Sequence, residues 1–96
     1  MEFSRDIRDQ VKSGAITVSY RLWSRPKVKL GGRYAFEDVF IEIDAIELAP
    51  FSSIEKEDVS LAGEENLESL RQRAAHAGPI DDDTLLYRVE FHIVRS

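Results

Sequence analysis

Ile16-Thr17-Val18-Ser19-Tyr20-Arg21-Leu22, preceded by Gly14-Ala15, is the stretch on which the fold turns. Apolar and polar residues alternate without a break: Ile16, Val18, Tyr20 and Leu22 take one side, and Thr17, Ser19 and Arg21 the other. A period of two is the pleat of a strand that packs on one face and presents the other. Along the presenting face, two hydroxyls and a guanidinium stand about 7 Å apart per step. If that row lines a cleft, it offers hydroxyls beside a planar, permanently charged fork that suits phosphate or carboxylate. If it looks at bulk water, it is only the polar side of a strand.

Before this strand, Phe3, Ile7 and Val11 fall at i, i+4 and i+8, with Gly14 as a stop, which predicts a helix over residues 4–13. After it, Trp23 to Gly32 reads as a loop, carrying Pro26 and Gly31-Gly32. Tyr34 to Phe36 predicts a short strand and Val39 to Leu48 a longer one. In the longer strand, Val39, Ile41 and Ile43 alternate with Phe40, Glu42 and Asp44 until Ala45-Ile46 breaks the phase, the mark of a bulge. Ser52 and Glu55 have capping-box spacing, predicting a short helix from Ser53 toward Ala62. Leu67, Leu70, Ala74 and Ala77 predict another, ended by Gly78-Pro79. Asp81-Asp82-Asp83 then turns the chain into a last strand, Thr84 to Val94, with Leu85, Tyr87, Val89, Phe91 and Ile93 on one side. Helix, strands, helices and strand in that order predict a mixed α+β domain: a small curved sheet or partial barrel flanked by helices.

The 96 residues suffice for one modest core, so residues 1–96 are read as a single domain. With no cysteine, disulfides, thiol nucleophiles and thiolate metal sites are excluded. The two histidines, His76 and His92, would need carboxylates to complete a zinc site, and the aspartate run lacks the glycine and distal glutamate of an EF-hand loop. Neither a metal nor an organic cofactor is expected. No apolar run approaches the roughly 20 residues of a membrane span, and the first residues hold no signal-type apolar segment. The expectation is a cytoplasmic protein with no membrane partner. Charge is unevenly spread: between Lys12 and Arg33 there are six cations and no acid, while 15 of the 18 acids follow from Glu37 onward. An acidic body with one cationic lip attracts phosphates or carboxylates at the lip. The same charges also suit a solubilising loop. A net charge of -5 argues against non-specific binding to long duplex DNA.

Gly14-Ala15-Ile16-Thr17-Val18-Ser19-Tyr20-Arg21 resembles the motif Gly-x-Lys-x-x-(Glu/Thr)-x-Arg of the ASCH domains, a branch of the PUA-like superfamily. The resemblance continues through Leu30-Gly31-Gly32-Arg33-Tyr34, through Ile46-Glu47-Leu48-Ala49-Pro50-Phe51-Ser52-Ser53-Ile54, and through Leu86-Tyr87-Arg88-Val89-Glu90-Phe91. It implies a small PUA-like mixed β-barrel of about five to six strands with two to three helices at its rim. It also implies a cleft for RNA or a modified nucleoside. Some proteins of this kind deacetylate N(4)-acetylcytidine, and ribonuclease activity is ascribed to others. In the deacetylating type the implicated groups are the motif lysine, a hydroxyl three positions later, and a glutamate in the helical region. By position these become Ile16, Ser19 and Glu64, with Glu65 the alternative glutamate, and Arg21 is the motif arginine. Isoleucine can neither take a proton from Ser19 nor steady an oxyanion.

Trp23 and Arg25 follow the strand directly, and aromatics among arginines suit unpaired bases. Trp23 equally suits a packing role over the open end of the barrel. The expected function is therefore RNA or nucleotide binding in a cleft lined by Thr17, Ser19, Arg21 and Glu64. Trp23, Arg25, Lys27 and Lys29 would sit at its rim. The alternative is a small hydrolase acting on N(4)-acetylcytidine or RNA, with Ser19 and Glu64 catalytic. In either case the partner is RNA or a modified nucleoside or nucleotide.

Overall fold

The computed structural model describes residues 1–75 and 78–95. Four strands form one antiparallel sheet: β1 (Val18–Arg21), β2 (Arg33–Phe36), β3 (Val39–Pro50) and β4 (Leu85–Val94), in the spatial order β1-β4-β3-β2. Three helices accompany it: α1 (Arg8–Ser13), α2 (Lys56–Leu61) and α3 (Leu67–Ala74). The α+β architecture stands as expected. Among the described residues there are four strands instead of five or six, because Leu22 to Gly32 stays irregular and β3 runs on through Pro50 as one long strand.

The alternation at 16–22 works in both directions across the sheet. Ser19 lies opposite Val89 and Arg21 opposite Tyr87, on one face, while Val18 and Tyr20 lie opposite Glu90 and Arg88 on the other. The first face holds a core of Ile41, Ile43, Val89 and Phe91, closed by Phe3, Ile7 and Val11 from the N-terminal segment. The second holds Val18, Tyr20 and Leu86, covered by Phe51, Ile54, Val59 and Leu70 from the helical region. A half-buried strand thus contributes apolar residues to one layer and polar groups to a different one.

The N-terminal helix starts as a 3-10 turn, Arg5–Ile7, and becomes α1 at Arg8. Gly14 ends it at φ 87°, a left-handed conformation that glycine adopts without Cβ strain. Two expectations about phase need correction. The capping box falls at Glu55 and Asp58, not at Ser52 and Glu55: the Asp58 carboxylate accepts from the Glu55 backbone N–H at 3.3 Å. Residues Phe51–Ser53 form a separate 3-10 turn, and Ile54 is extended because its side chain is buried against the second core. In β4, Leu85 is exposed and Leu86 is fully buried, the reverse of the expected alternation. The end of the β3–β4 ribbon projects past the first core, so there it is the opposite face that the helices cover. The expected helix residue Ala77, like His76, lies outside the described residues.

The loop after β1 is anchored by Val28, 5% exposed within the first core, and the flanking Lys27 and Lys29 are exposed. Its end is tied to β3 by Gly31 N–H to the Ile43 carbonyl (2.8 Å) and by Ile43 N–H to the Gly32 carbonyl (3.0 Å).

Candidate functional site

A cleft of about 540 Å³ opens along the free edge of β1. One wall is the N-terminal segment, with Glu2, Phe3 and Arg8. The other is α3 with Leu70, Arg73 and Ala74, together with Ala62 and Glu64 just before it. Ser19 and Arg21 line the floor, and Trp23 and Lys27 close the loop end.

Arg21 is held on several sides. Its Nε donates to Ser19 Oγ at 2.8 Å and one terminal nitrogen donates to the Glu2 carbonyl at 2.5 Å. Its guanidinium carbon lies 5.0 Å from the Phe3 ring centre and 5.9 Å from that of Trp23, within cation–π range. Burial works against the charge and lowers the Arg21 pKa from its ordinary value, but a guanidinium remains cationic at any physiological pH. A guanidinium carries five N–H donors, and the two bonds above use two of them. The rest make no hydrogen bond among the described residues.

Glu64 occupies the opposite wall with its side chain only 6% exposed, bonded to Arg73 Nε. Arg73 spans the gap to the N-terminal segment, donating to the two Asp6 carboxylate oxygens at 3.1 and 2.9 Å. The Asp6 hydrogen bond, with help from Glu64, raises the Arg73 pKa despite burial, and the same bond lowers that of Asp6. Glu65 is exposed and does not line the cleft.

Of the residues expected from the sequence, Ser19, Arg21, Trp23, Lys27 and Glu64 come together around this cleft. Thr17, Arg25 and Lys29 do not line it. The Thr17 backbone is spent on joining elements, its N–H to the Leu61 carbonyl and its carbonyl to the Phe91 N–H, each at 3.0 Å. Arg25 and Lys29 are exposed and, among the described residues, have no ion-pair partner within 4.0 Å. The cationic lip is smaller than the sequence implied, since Lys12 pairs with Asp38 at 2.5 Å and Arg33 with Glu42 at 2.7 Å. His92 faces away from the cleft, beside Asp44 and Glu42. Ile16 is 2% exposed and fits under Gly63, where a Cβ would come within 2.4 Å of its Cδ1. The place of the motif lysine is thus filled by a core side chain.

Sequence reasoning missed Phe3, Glu2 and the Asp6–Arg73–Glu64 chain. Phe3 was readable as the start of the helical stripe; the ion-pair chain joins residues 67 apart and has no local signal. Trp23 packs at 6.2 Å from Tyr87, a packing role that leaves it half-buried at the cleft mouth.

On the other face of the sheet a smaller hollow of about 330 Å³ is lined by Tyr20, Glu47, Asp58 and Arg88. Arg88 donates to Asp58 at 2.9 Å with both side chains about four-fifths buried (18% and 20% exposed). Burial opposes both charges, yet their mutual bond prevails: the Asp58 pKa is lowered and that of Arg88 raised. Burial, assisted by the Asp58 charge, pushes the Tyr20 hydroxyl up to about 12.

No protein-family model matches the chain, and neither does any curated protein. Solved structures do. An ASCH domain from Lactobacillus crispatus superposes with a TM-score of 0.73 at 18% identity, covering 95% of this chain and 72% of that one. A protein of Enterococcus faecalis described by the family model DUF984 superposes with a TM-score of 0.74 at 16% identity, covering 93% and 67%. The chain has an ASCH-like fold. Among the described residues no helix is long and apolar enough to cross a membrane.

Proposed function

We propose that the cleft binds RNA or a nucleotide, with Arg21 receiving a phosphate and the Phe3 and Trp23 rings bordering the base or sugar. The observation that carries this is the state of Arg21: fixed by Ser19 and Glu2, flanked by two aromatic rings, and lining the cleft with donors that these two bonds do not use. A pre-oriented guanidinium loses little side-chain entropy when an oxyanion arrives. Lys27 at the rim adds charge, and Arg25 and Lys29 on the same loop steer anions toward it.

The test is titration of short single-stranded RNAs and of cytidine and adenosine nucleotides at low salt. Losing the charge-assisted contact in Arg21→Ala should cost about 1.5–3 kcal/mol, roughly a 10- to 150-fold loss of affinity, with a shallower salt dependence. Equal affinity in the variant, or no binding by the wild type, removes this function.

A second reading, hydrolysis of N(4)-acetylcytidine, draws support from Ser19 and Glu64 facing one cleft. Three features count against it. The Ser19 hydroxyl accepts from Arg21, which cannot take up a proton, and the amine position holds Ile16. Glu64 is also committed to Arg73. Incubation with N(4)-acetylcytidine should give no turnover; turnover abolished by Ser19→Ala would reverse this ranking.

A further inference from the structure

Between Ile43 and Ala45 the long strand β3 carries one residue more than its neighbour: Ile43 pairs with Phe91 and Ala45 with Glu90, leaving Asp44 without a partner in the ladder. A bulge of this kind re-aims a side chain. Here it brings Asp44 against His92, on the face where Glu42 lies directly opposite His92 and away from Ser19 and Arg21. Nδ1 of His92 sits 2.8 and 2.9 Å from the two Asp44 oxygens, and Nε2 sits 3.6 Å from Glu42 Oε2. The other Glu42 oxygen is engaged by Arg33 Nε at 2.7 Å, which leaves Oε2 turned toward the imidazole.

We propose that Glu42, Asp44 and His92 form a binding site for a first-row divalent cation of the zinc, cobalt or nickel type. The three side chains bring one ligand atom each to within 4.8 Å of one another. An imidazole among carboxylates selects borderline metals over magnesium and calcium, which favour all-oxygen shells. The two strands bring the three side chains together by register, and because Asp44 faces Nδ1 while Glu42 faces Nε2, one carboxylate turns toward the other's ring nitrogen on binding. Three protein ligands leave the remaining positions to water, and the site is open to solvent. Arg33 lowers its affinity by placing a cation nearby and sharpens its geometry by fixing Glu42. The site shares no residue with the cleft and does not depend on the function proposed for it.

The experiment is titration of the intact chain with Co²⁺, followed by visible absorption, and with Zn²⁺ by calorimetry. One equivalent should bind. His92→Gln and Asp44→Asn should each weaken binding at least about tenfold, and His76→Gln and Arg21→Ala should leave it unchanged. Because His92 is exposed, melting curves of its variant without metal should match the wild type. Paramagnetic broadening by Co²⁺ in the unsubstituted protein should fall first on the His92 ring and on Glu42 and Asp44. Affinity unaltered in His92→Gln, loss in His76→Gln, broadening centred elsewhere, or no saturation at millimolar metal would each overturn the site.

Discussion

Gly63→Ala probes the joint between core and cleft. Gly63 has φ 79°, and a Cβ there would lie 2.4 Å from Ile16 Cδ1 and 2.8 Å from its Cγ1. Two costs add. Alanine in the left-handed region loses about 1–2 kcal/mol, and forcing a methyl into a packed site costs about 1–3 kcal/mol. The sum, about 2–5 kcal/mol, corresponds to a fall in Tm of about 8 °C or more for a domain this size. Thermal and urea unfolding of the purified variant measure it. Ile16→Val removes the closest atom, so it separates the two costs. Alone it should destabilise by about 0.5–1.5 kcal/mol; combined with Gly63→Ala it should be neutral or stabilising, a coupling of about 1 kcal/mol or more. Since Glu64 follows Gly63, the single variant should also weaken whatever the cleft binds. A loss under about 1 kcal/mol, or strictly additive effects, would refute the close approach of Ile16 and Gly63 and with it the account of why no lysine stands at that position.

Other outcomes follow from the same geometry. Tyr20 ionises near 10 when unfolded and near 12 when folded, so its contribution is complete below pH 10 and disappears as pH rises through 12. That contribution is at most about 2–3 kcal/mol, measurable by phenolate absorbance and alkaline unfolding, and Tyr20→Phe should abolish it. Asp58 has a lowered folded pKa, so its share of stability is present above about pH 4 and is lost as pH falls below. Asp58→Asn should flatten that acid limb and cost about 1–3 kcal/mol at neutral pH, because Arg88 loses its partner; an unchanged limb in acid unfolding would contradict this. Phe91, 2% exposed and 5.5 Å from the Phe3 ring, should cost about 3–5 kcal/mol as Phe91→Ala in urea unfolding.

The parts of this molecule that could be read from its sequence are those decided by local period. Alternation at 16–22 gave β1 and placed Ser19 and Arg21 on one face, as found. The phase break in β3 announced a bulge, although the extra residue is Asp44, just before the expected Ala45-Ile46. What escaped was decided by neighbours distant in sequence. Leu85 and Leu86 exchange roles because the helical layer covers one face only where β4 outruns the first core. Arg73, which looks like the solvated side of a helix, instead joins Glu64 to Asp6. Arg71, on the same helix, donates to the Ile80 carbonyl and stacks on Phe51 at 4.4 Å. The Glu42–Asp44–His92 group was invisible for the same reason, its histidine standing 48 positions from Asp44.

The supernumerary residue at Asp44 changes the parity of its strand. Before it, odd-numbered Ile41 and Ile43 point into the first core; after it, even-numbered Ile46 does so, opposite Val89. Deleting that one position would remove the bulge yet leave Ile46 opposite Val89, whereas keeping it and pairing it with Glu90 would set Ala45 against Val89 and turn Ile46 outward. Descendants of this chain can therefore lose Asp44 without inverting the strand, whereas a lone insertion or loss at a paired position must be absorbed by a shift of the bulge or it scrambles the hydrophobic layer.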